Sequence, residues 1–257
     1  MLLEMVIYMF TDTHCHLYSE YYDNLEEIFK ESKSNNVVRY ISDGCDMKSN
    51  KEMIELSKKY NEIYITLGIH PENADSYNED DLKYIENNLK TEKVIAIGEI
   101  GLDYFYTKEN KDIQKKLLES QLKLAEEYNM PVVIHSREAT QDTIDILKKY
   151  KLKGVIHSFT GSLEVAKIYI KMGYVLGVNG VITFKNSNVK DIIKEVGLEN
   201  IILETDSPYL TPHPYRGKQN SPKYIKEIAE FVARLYGISI EELAKITNDN
   251  IKRIFDI

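Results

Sequence analysis

Short apolar runs alternate with amphipathic stretches along almost the whole chain. Residues 6–10, 37–43, 63–70, 94–99, 132–135, 154–157, 174–178 and 201–204 are dense in Val, Ile and Leu and predict β-strands. Between them, 25–33, 50–60, 80–89, 111–128, 139–150, 163–172 and 189–196 mix apolar and charged positions at helical spacing. The clearest of these helices is 111–128, where Ile113, Leu117, Leu124, Ala125 and Tyr128 fall near one face. Strands that are apolar on both faces and separated by helices are parallel and covered on both sides. Eight of them in 257 residues predict an α/β fold of one domain, a (β/α)8 TIM barrel. Residues 221–236 supply its last helix and 239–255 an added C-terminal helix. An open doubly wound sheet is the alternative, but no glycine-rich phosphate loop follows the first strand.

The chemistry-bearing residues gather where these strands end. The first strand runs into Thr11-Asp12-Thr13-His14-Cys15-His16, and a period of two puts His14 and His16 on one face, with Asp12 beside them and Cys15 turned away. His70 ends the third strand, Glu99 the fourth, His135 the fifth and His157 the sixth, while Asp206 follows the eighth. Barrel active sites are built at this rim. Five of the six histidines stop there, which predicts a metal centre. The donors are nitrogen and oxygen without thiolate, a set suited to zinc, manganese, magnesium, iron or nickel.

These donors exceed the needs of one four-coordinate ion, so two divalent ions are expected. A carboxylate has two oxygens to share, and Glu99 lies between the other ligand-bearing strands. One ion is assigned to His14, His16, Asp206 and Glu99, the other to Glu99, His135 and His157. A water between two cations is acidified towards hydroxide, and Asp206 is placed to orient it and take its proton. Histidine binds metal only when neutral, so affinity is expected to fall as pH drops through about 6.5.

Composition narrows the setting. A net charge of −8 argues against a broad basic surface gripping long nucleic acid through many phosphates. Two cysteines, Cys15 and Cys45, and the absence of a signal-peptide pattern predict free thiols in the cytoplasm. Residues 1–10 carry Glu4, lack a basic flank and are too short to span a bilayer. Residues 1–8 read as an extension, with Met5 or Met9 equally able to be the natural start. No membrane or obligate protein partner is expected.

The stretches Thr11-Asp12-Thr13-His14-Cys15-His16-Leu17, Gly68-Ile69-His70-Pro71, Gly98-Glu99-Ile100-Gly101-Leu102-Asp103-Tyr104, His135-Ser136-Arg137, His157-Ser158-Phe159-Thr160-Gly161 and Glu204-Thr205-Asp206-Ser207-Pro208 resemble those of the TatD family of metal-dependent deoxyribonucleases. The resemblance runs from about residue 9 to the C-terminus. It implies two divalent ions bridged at Glu99 and hydrolysis of nucleic acid, so DNA or an oligonucleotide is the expected substrate. The loop Arg216-Gly217-Lys218-Gln219-Asn220-Ser221-Pro222 resembles a family element in which Arg216 and Lys218 would hold a phosphate. His70 is expected to face substrate, His213 to be a loop residue, and Tyr104, Tyr106 and Phe159 to be available for stacking on bases. The leading expectation is a two-metal phosphodiesterase acting on DNA from a strand end. A hydrolase of carbon–nitrogen or ester bonds on the same barrel, or a catalytically silent metal-binding module, are the alternatives.

Overall fold

The chain's structure, a computed structural model, describes residues 8–105 and 107–257. Residues 1–7, which include the first two residues of the expected first strand, and Tyr106 lie outside the described residues. The eight strands are β1 (Phe10–Cys15), β2 (Val37–Asp43), β3 (Ile63–Leu67), β4 (Val94–Asp103), β5 (Val132–Arg137), β6 (Gly154–Ile156), β7 (Tyr174–Val178) and β8 (Ile201–Leu203). They pair in parallel in chain order. The ring is drawn together between its last and first strands by one parallel bridge, Cys15 to Ser207. There His16 N–H donates to Ser207 O at 2.9 Å and Asp206 N–H to His14 O at 2.9 Å. The strands and their intervening helices form a (β/α)8 barrel.

The helices are α1 (Leu25–Ser34), α2 (Met47–Lys59), α3 (Glu79–Asn88), α4 (Lys111–Glu127), α5 (Thr140–Leu147), α6 (Leu163–Lys171), α7 (Val189–Val196), α8 (Ile225–Tyr236) and α9 (Ile240–Phe255). Several begin where a side chain takes up free backbone N–H groups: Asn24 caps α1, and Asp46 and Ser49 cap α2 reciprocally. Helix α4 departs from the expected face. Ile113 is 41% exposed, and the buried side is Gln114, Leu117, Leu118, Gln121, Leu122 and Ala125. The two glutamines are buried because they serve the barrel's loops. Gln121 pairs with both backbone groups of Ile69, and Gln114 with both of Asp103.

Inside the barrel, Ile41, Ala96, Val133, Val155, Val175 and Ile202 form an apolar cluster completed by Ile251, Ile254 and Phe255 of α9. The added helix thus closes the N-terminal end of the barrel, and the strands' carboxyl ends remain for chemistry. A second, larger cluster fills the space between strands and outer helices. Among the described residues, no helix is long and apolar enough to cross a membrane.

Candidate metal centre

Two irregularities in strand pairing aim the site's side chains. Between Asp12 and Cys15, β1 advances three residues while β2 advances two, from Tyr40 to Ser42. Between Ile97 and Ile100, β4 likewise gains one residue on β5. A bulge redirects the side chains at it, and His14 and Glu99 sit in these two bulges. The same shift removes Asp12 from the histidines' side, correcting the expectation from a strict period of two. Asp12 is buried and accepts from Thr205 N–H at 2.9 Å and Thr205 Oγ1 at 2.5 Å. Close approach of β4 and β5 is equally necessary, since a Cβ at Gly101 would lie 1.9 Å from His135 O.

Glu99 is the centre of the site and is 3% exposed. Its Oε2 faces His14 Nε2 at 3.5 Å and His16 Nε2 at 3.8 Å. Its Oε1 faces His135 Nδ1 at 2.9 Å, His157 Nε2 at 3.5 Å and His70 Nε2 at 3.6 Å. Asp206 Oδ1 lies 3.7 Å from His14 Nε2, 3.5 Å from His16 Nε2 and 4.0 Å from His157 Nε2. All six residues expected at a metal centre are therefore brought together.

Each of the four histidines has an oxygen close to its opposite nitrogen. His14 Nδ1 is 3.1 Å from Asp43 Oδ2, His157 Nδ1 3.1 Å from Glu204 Oε1 and His135 Nε2 3.0 Å from Asp103 Oδ2. His16 Nδ1 is 3.1 Å from the Tyr18 hydroxyl, which itself donates to Asp43 O. A neutral imidazole whose outer nitrogen carries the proton presents a lone pair on the inner one, the arrangement a cation requires. His14 Nε2 is buried and has no hydrogen-bond partner among the described residues. In the groups His14–His16–Asp206, His14–Glu99–His157 and His70–Glu99–His135, the donor atoms lie within 4.8 Å of one another. The donor set fits divalent cations.

His70 differs from the other four. Its Nδ1 accepts from Glu72 N–H at 3.2 Å, so in the neutral ring the proton is on Nε2, which faces Glu99 Oε1 at 3.6 Å as a donor. Burial holds its pKa down to about 3, so the ring stays neutral. For His157, burial works downward too, but the carboxylates of Glu204, Glu99 and Asp206 outweigh it and push the pKa up to about 10. His135 rises to about 9, where hydrogen bonds to Asp103 and Glu99 overcome burial. Glu99 is held well below the usual carboxylate range: burial opposes this, and His157, His70 and His14 prevail.

Asp43, Asp103 and Glu204 were not expected in the site. The signal was present, since Asp43 and Asp103 end β2 and β4 and Glu204 directly follows β8, at the same rim as the histidines.

The centre opens into a cavity of about 650 Å³ whose wall includes Tyr21, Cys45, Lys48, Arg137, Thr160 and Tyr209. Arg216 and Lys218 are exposed and do not line it. Arg216 stacks on Phe184 at 3.9 Å and donates to Thr211 O at 3.2 Å. The cationic side chains on the wall are Lys48 and Arg137, the latter with its guanidinium 3.7 Å from the Phe105 ring centroid. Tyr104 and Phe159 are buried, with the Tyr104 hydroxyl on Asp142 at 2.8 Å, so neither is available for stacking. His213 is an exposed loop residue, as expected.

Comparison with known proteins agrees with this geometry. Residues 11–256 match the family model described as TatD related DNase. YabD of Bacillus subtilis (strain 168), an uncharacterized metal-dependent hydrolase, is 44% identical over 254 residues, covering 97% of this chain and 100% of that protein. YcfH of Escherichia coli (strain K12), another uncharacterized metal-dependent hydrolase, is 34% identical over 255 residues, covering 96% and 95%. The crystal structure of the TatD homolog YJJV from Escherichia coli K12 superposes with a TM-score of 0.92 at 29% identity, covering 98% of this chain and 99% of that one. The chain belongs to the TatD family and is a metal-dependent hydrolase.

Proposed function

We propose that the protein hydrolyses phosphodiester bonds of DNA from a strand end, using two divalent ions that share Glu99. The observation that carries this reading is the position of Glu99, whose Oε2 faces His14 and His16 and whose Oε1 faces His135 and His157. One ion belongs with His14, His16, Asp206 and Glu99, and the second with Glu99, His135 and His157. Charge supports the number. Glu99, Asp206, Asp43, Asp103 and Glu204 surround four histidines, and the excess of negative charge calls for more than one divalent cation. Such ions, when bound, acidify water near neutral pH and neutralise charge on phosphoryl oxygens.

The chain's own groups do the rest. Without metal, His157, His16 and His14 outweigh burial and hold Asp206 below the usual carboxylate range, and as a carboxylate it would accept a proton from attacking water. His70 Nε2–H donates towards the reacting group. Arg137, two residues past His135 and on the cavity wall, would be a phosphate contact. Arg216 and Lys218, outside the cavity lining, would meet a phosphate further along a strand. The family's description supports nucleic acid as the substrate, and a cavity in the size range of small-molecule sites supports a strand end over a long duplex.

A second reading, an ester or amide substrate carrying an amine, is favoured by Glu20, Asp46, Glu52 and Glu72 on the same wall. The metal-loaded protein should be assayed in parallel on end-labelled single-stranded DNA, duplex DNA, RNA and neutral esters. Progressive shortening of DNA is expected. Arg137→Ala should lower kcat/KM on the oligonucleotide by roughly tenfold to a hundredfold and leave ester turnover alone. Ester hydrolysis without DNA cleavage would overturn the DNA reading.

A further inference from the structure

The donor set read from the sequence contains no sulfur, yet a thiol stands at the centre. Cys45 lies in the loop between β2 and α2 and lines the cavity. Its Sγ is 3.7 Å from Glu99 Oε2, 3.9 Å from His16 Nδ1 and 3.3 Å from the Tyr18 hydroxyl. His16, Cys45 and Glu99 each offer a donor atom within 4.8 Å of the others. The same Glu99 oxygen is the one faced by His14 Nε2, at 3.5 Å, a fully buried nitrogen with no hydrogen-bond partner among the described residues. Two observations thus meet at one carboxylate oxygen.

We propose that Cys45 is a thiolate ligand of the ion assigned to His14, His16, Asp206 and Glu99, giving that site a preference for thiophilic cations such as zinc or cadmium. The spacing suits it. Metal–sulfur and metal–oxygen bonds of about 2.3 and 2.0–2.2 Å at the angles of about 90–120° of a five-donor site put sulfur and oxygen about 3.1–3.8 Å apart. The loop is also braced from both sides. Cys45 N–H donates to Ser49 Oγ at 2.9 Å, within the α2 cap, while Cys45 O accepts from His70 N–H at 2.8 Å and Asn73 Nδ2 at 3.0 Å. A ligand on a backbone pinned in this way is preorganised. Binding exchanges the S–H bond for a sulfur–metal bond, and the proton leaves to solvent. Cys15 provides the internal contrast: it is fully buried and its Sγ donates to Ile41 O at 3.3 Å.

The inference rests on the reading of Glu99 as a ligand, and cobalt spectroscopy separates the two. Co²⁺ added to the metal-free protein should give visible d–d absorption from the nitrogen and oxygen donors together with an intense sulfur-to-cobalt charge-transfer band in the near ultraviolet. Cys45→Ser should abolish the charge-transfer band and keep the d–d absorption, and Cys15→Ser should keep both. In competition titrations, Cys45→Ser should weaken Cd²⁺ binding on the order of ten- to a hundredfold and leave Mn²⁺ binding unchanged. X-ray absorption of the zinc-loaded wild type, which needs no variant, should show sulfur at about 2.3 Å. d–d absorption without a charge-transfer band, a band that survives Cys45→Ser, or zinc without sulfur overturns the role of Cys45. Absence of any cobalt absorption overturns the metal-centre reading with it.

Discussion

Metal loading should release protons, and the number can be worked from the histidines. Without metal, the carboxylates around His157 and His135 raise their pKa values to about 10 and about 9. His16 is raised as well: burial opposes this, and Cys45, Asp206 and Glu99 outweigh it. A histidine whose pKa is raised is protonated below the raised value, and a metal needs the neutral ring. At pH 7, the solution lies about three units below the His157 value and about two below that of His135. Stripping those two protons costs about 7 kcal/mol at about 1.36 kcal/mol per unit. The product of the two binding constants should therefore rise at least a hundredfold per pH unit from pH 7 to 9 and at least tenfold from 9 to 10, because His16 and a ligating Cys45 would give up protons as well. This window lies well above the region near 6.5 expected from isolated imidazoles.

Calorimetric titration with Zn²⁺ in buffers of contrasting protonation enthalpy would count the protons directly, and at least two per chain are expected at pH 7. Release of fewer than one proton, or affinity flat between pH 7 and 9, would refute the reasoning. The same groups set the stability of the metal-free fold. A raised histidine pKa stabilises fully below the unfolded value of about 6.5 and loses that contribution as pH rises through the folded value. Melting temperature without metal should therefore fall between pH 7 and 10, and the gap between metal-free and metal-loaded protein should widen.

Other perturbations probe other parts of the molecule. Glu99→Ala should weaken both ions together, because it removes the carboxylate whose two oxygens face the two sets of donors; elemental analysis finding two ions per chain at unchanged affinity would rule that out. His157→Ala should deplete mainly the ion shared with His135, so earlier loss of the ion near His16 would show the assignment to be wrong. Gln121→Leu leaves both backbone groups of Ile69 unpaired, at about 1–3 kcal/mol each, and urea unfolding should show a loss of that order. Phe255→Ala should cost about 3–5 kcal/mol by opening the barrel's base while metal affinity, measured at the far end, stays constant.

The contrast between Glu99 and Arg216 shows what a sequence can carry for this fold. Parallel strands in a barrel deliver their carboxyl ends to one rim whatever the details of packing, so His14, His16, Glu99, His135, His157 and Asp206 could be grouped from strand ends alone. Their outer partners were equally near the rim, but a carboxylate at a strand end is ordinary until a histidine nitrogen is known to face it. For His14 and Glu99 the direction depends on two single-residue bulges, and a bulge leaves little trace in a pattern of apolar positions. Asp12 shows the cost: one added residue between it and Cys15 moves it from the histidines to Thr205. The position of Arg216 is illegible for the opposite reason. A basic turn carries its charge in the sequence, whereas its distance from the centre is decided by where Phe184 stands, and the stacked guanidinium is held outside the cavity wall. Arg137 carries the same charge, but it ends β5 two residues beyond His135, so the barrel itself delivers it to the cavity. A charged residue on a strand end is thus placed by topology, and one on a long loop by contacts that the apolar pattern does not encode.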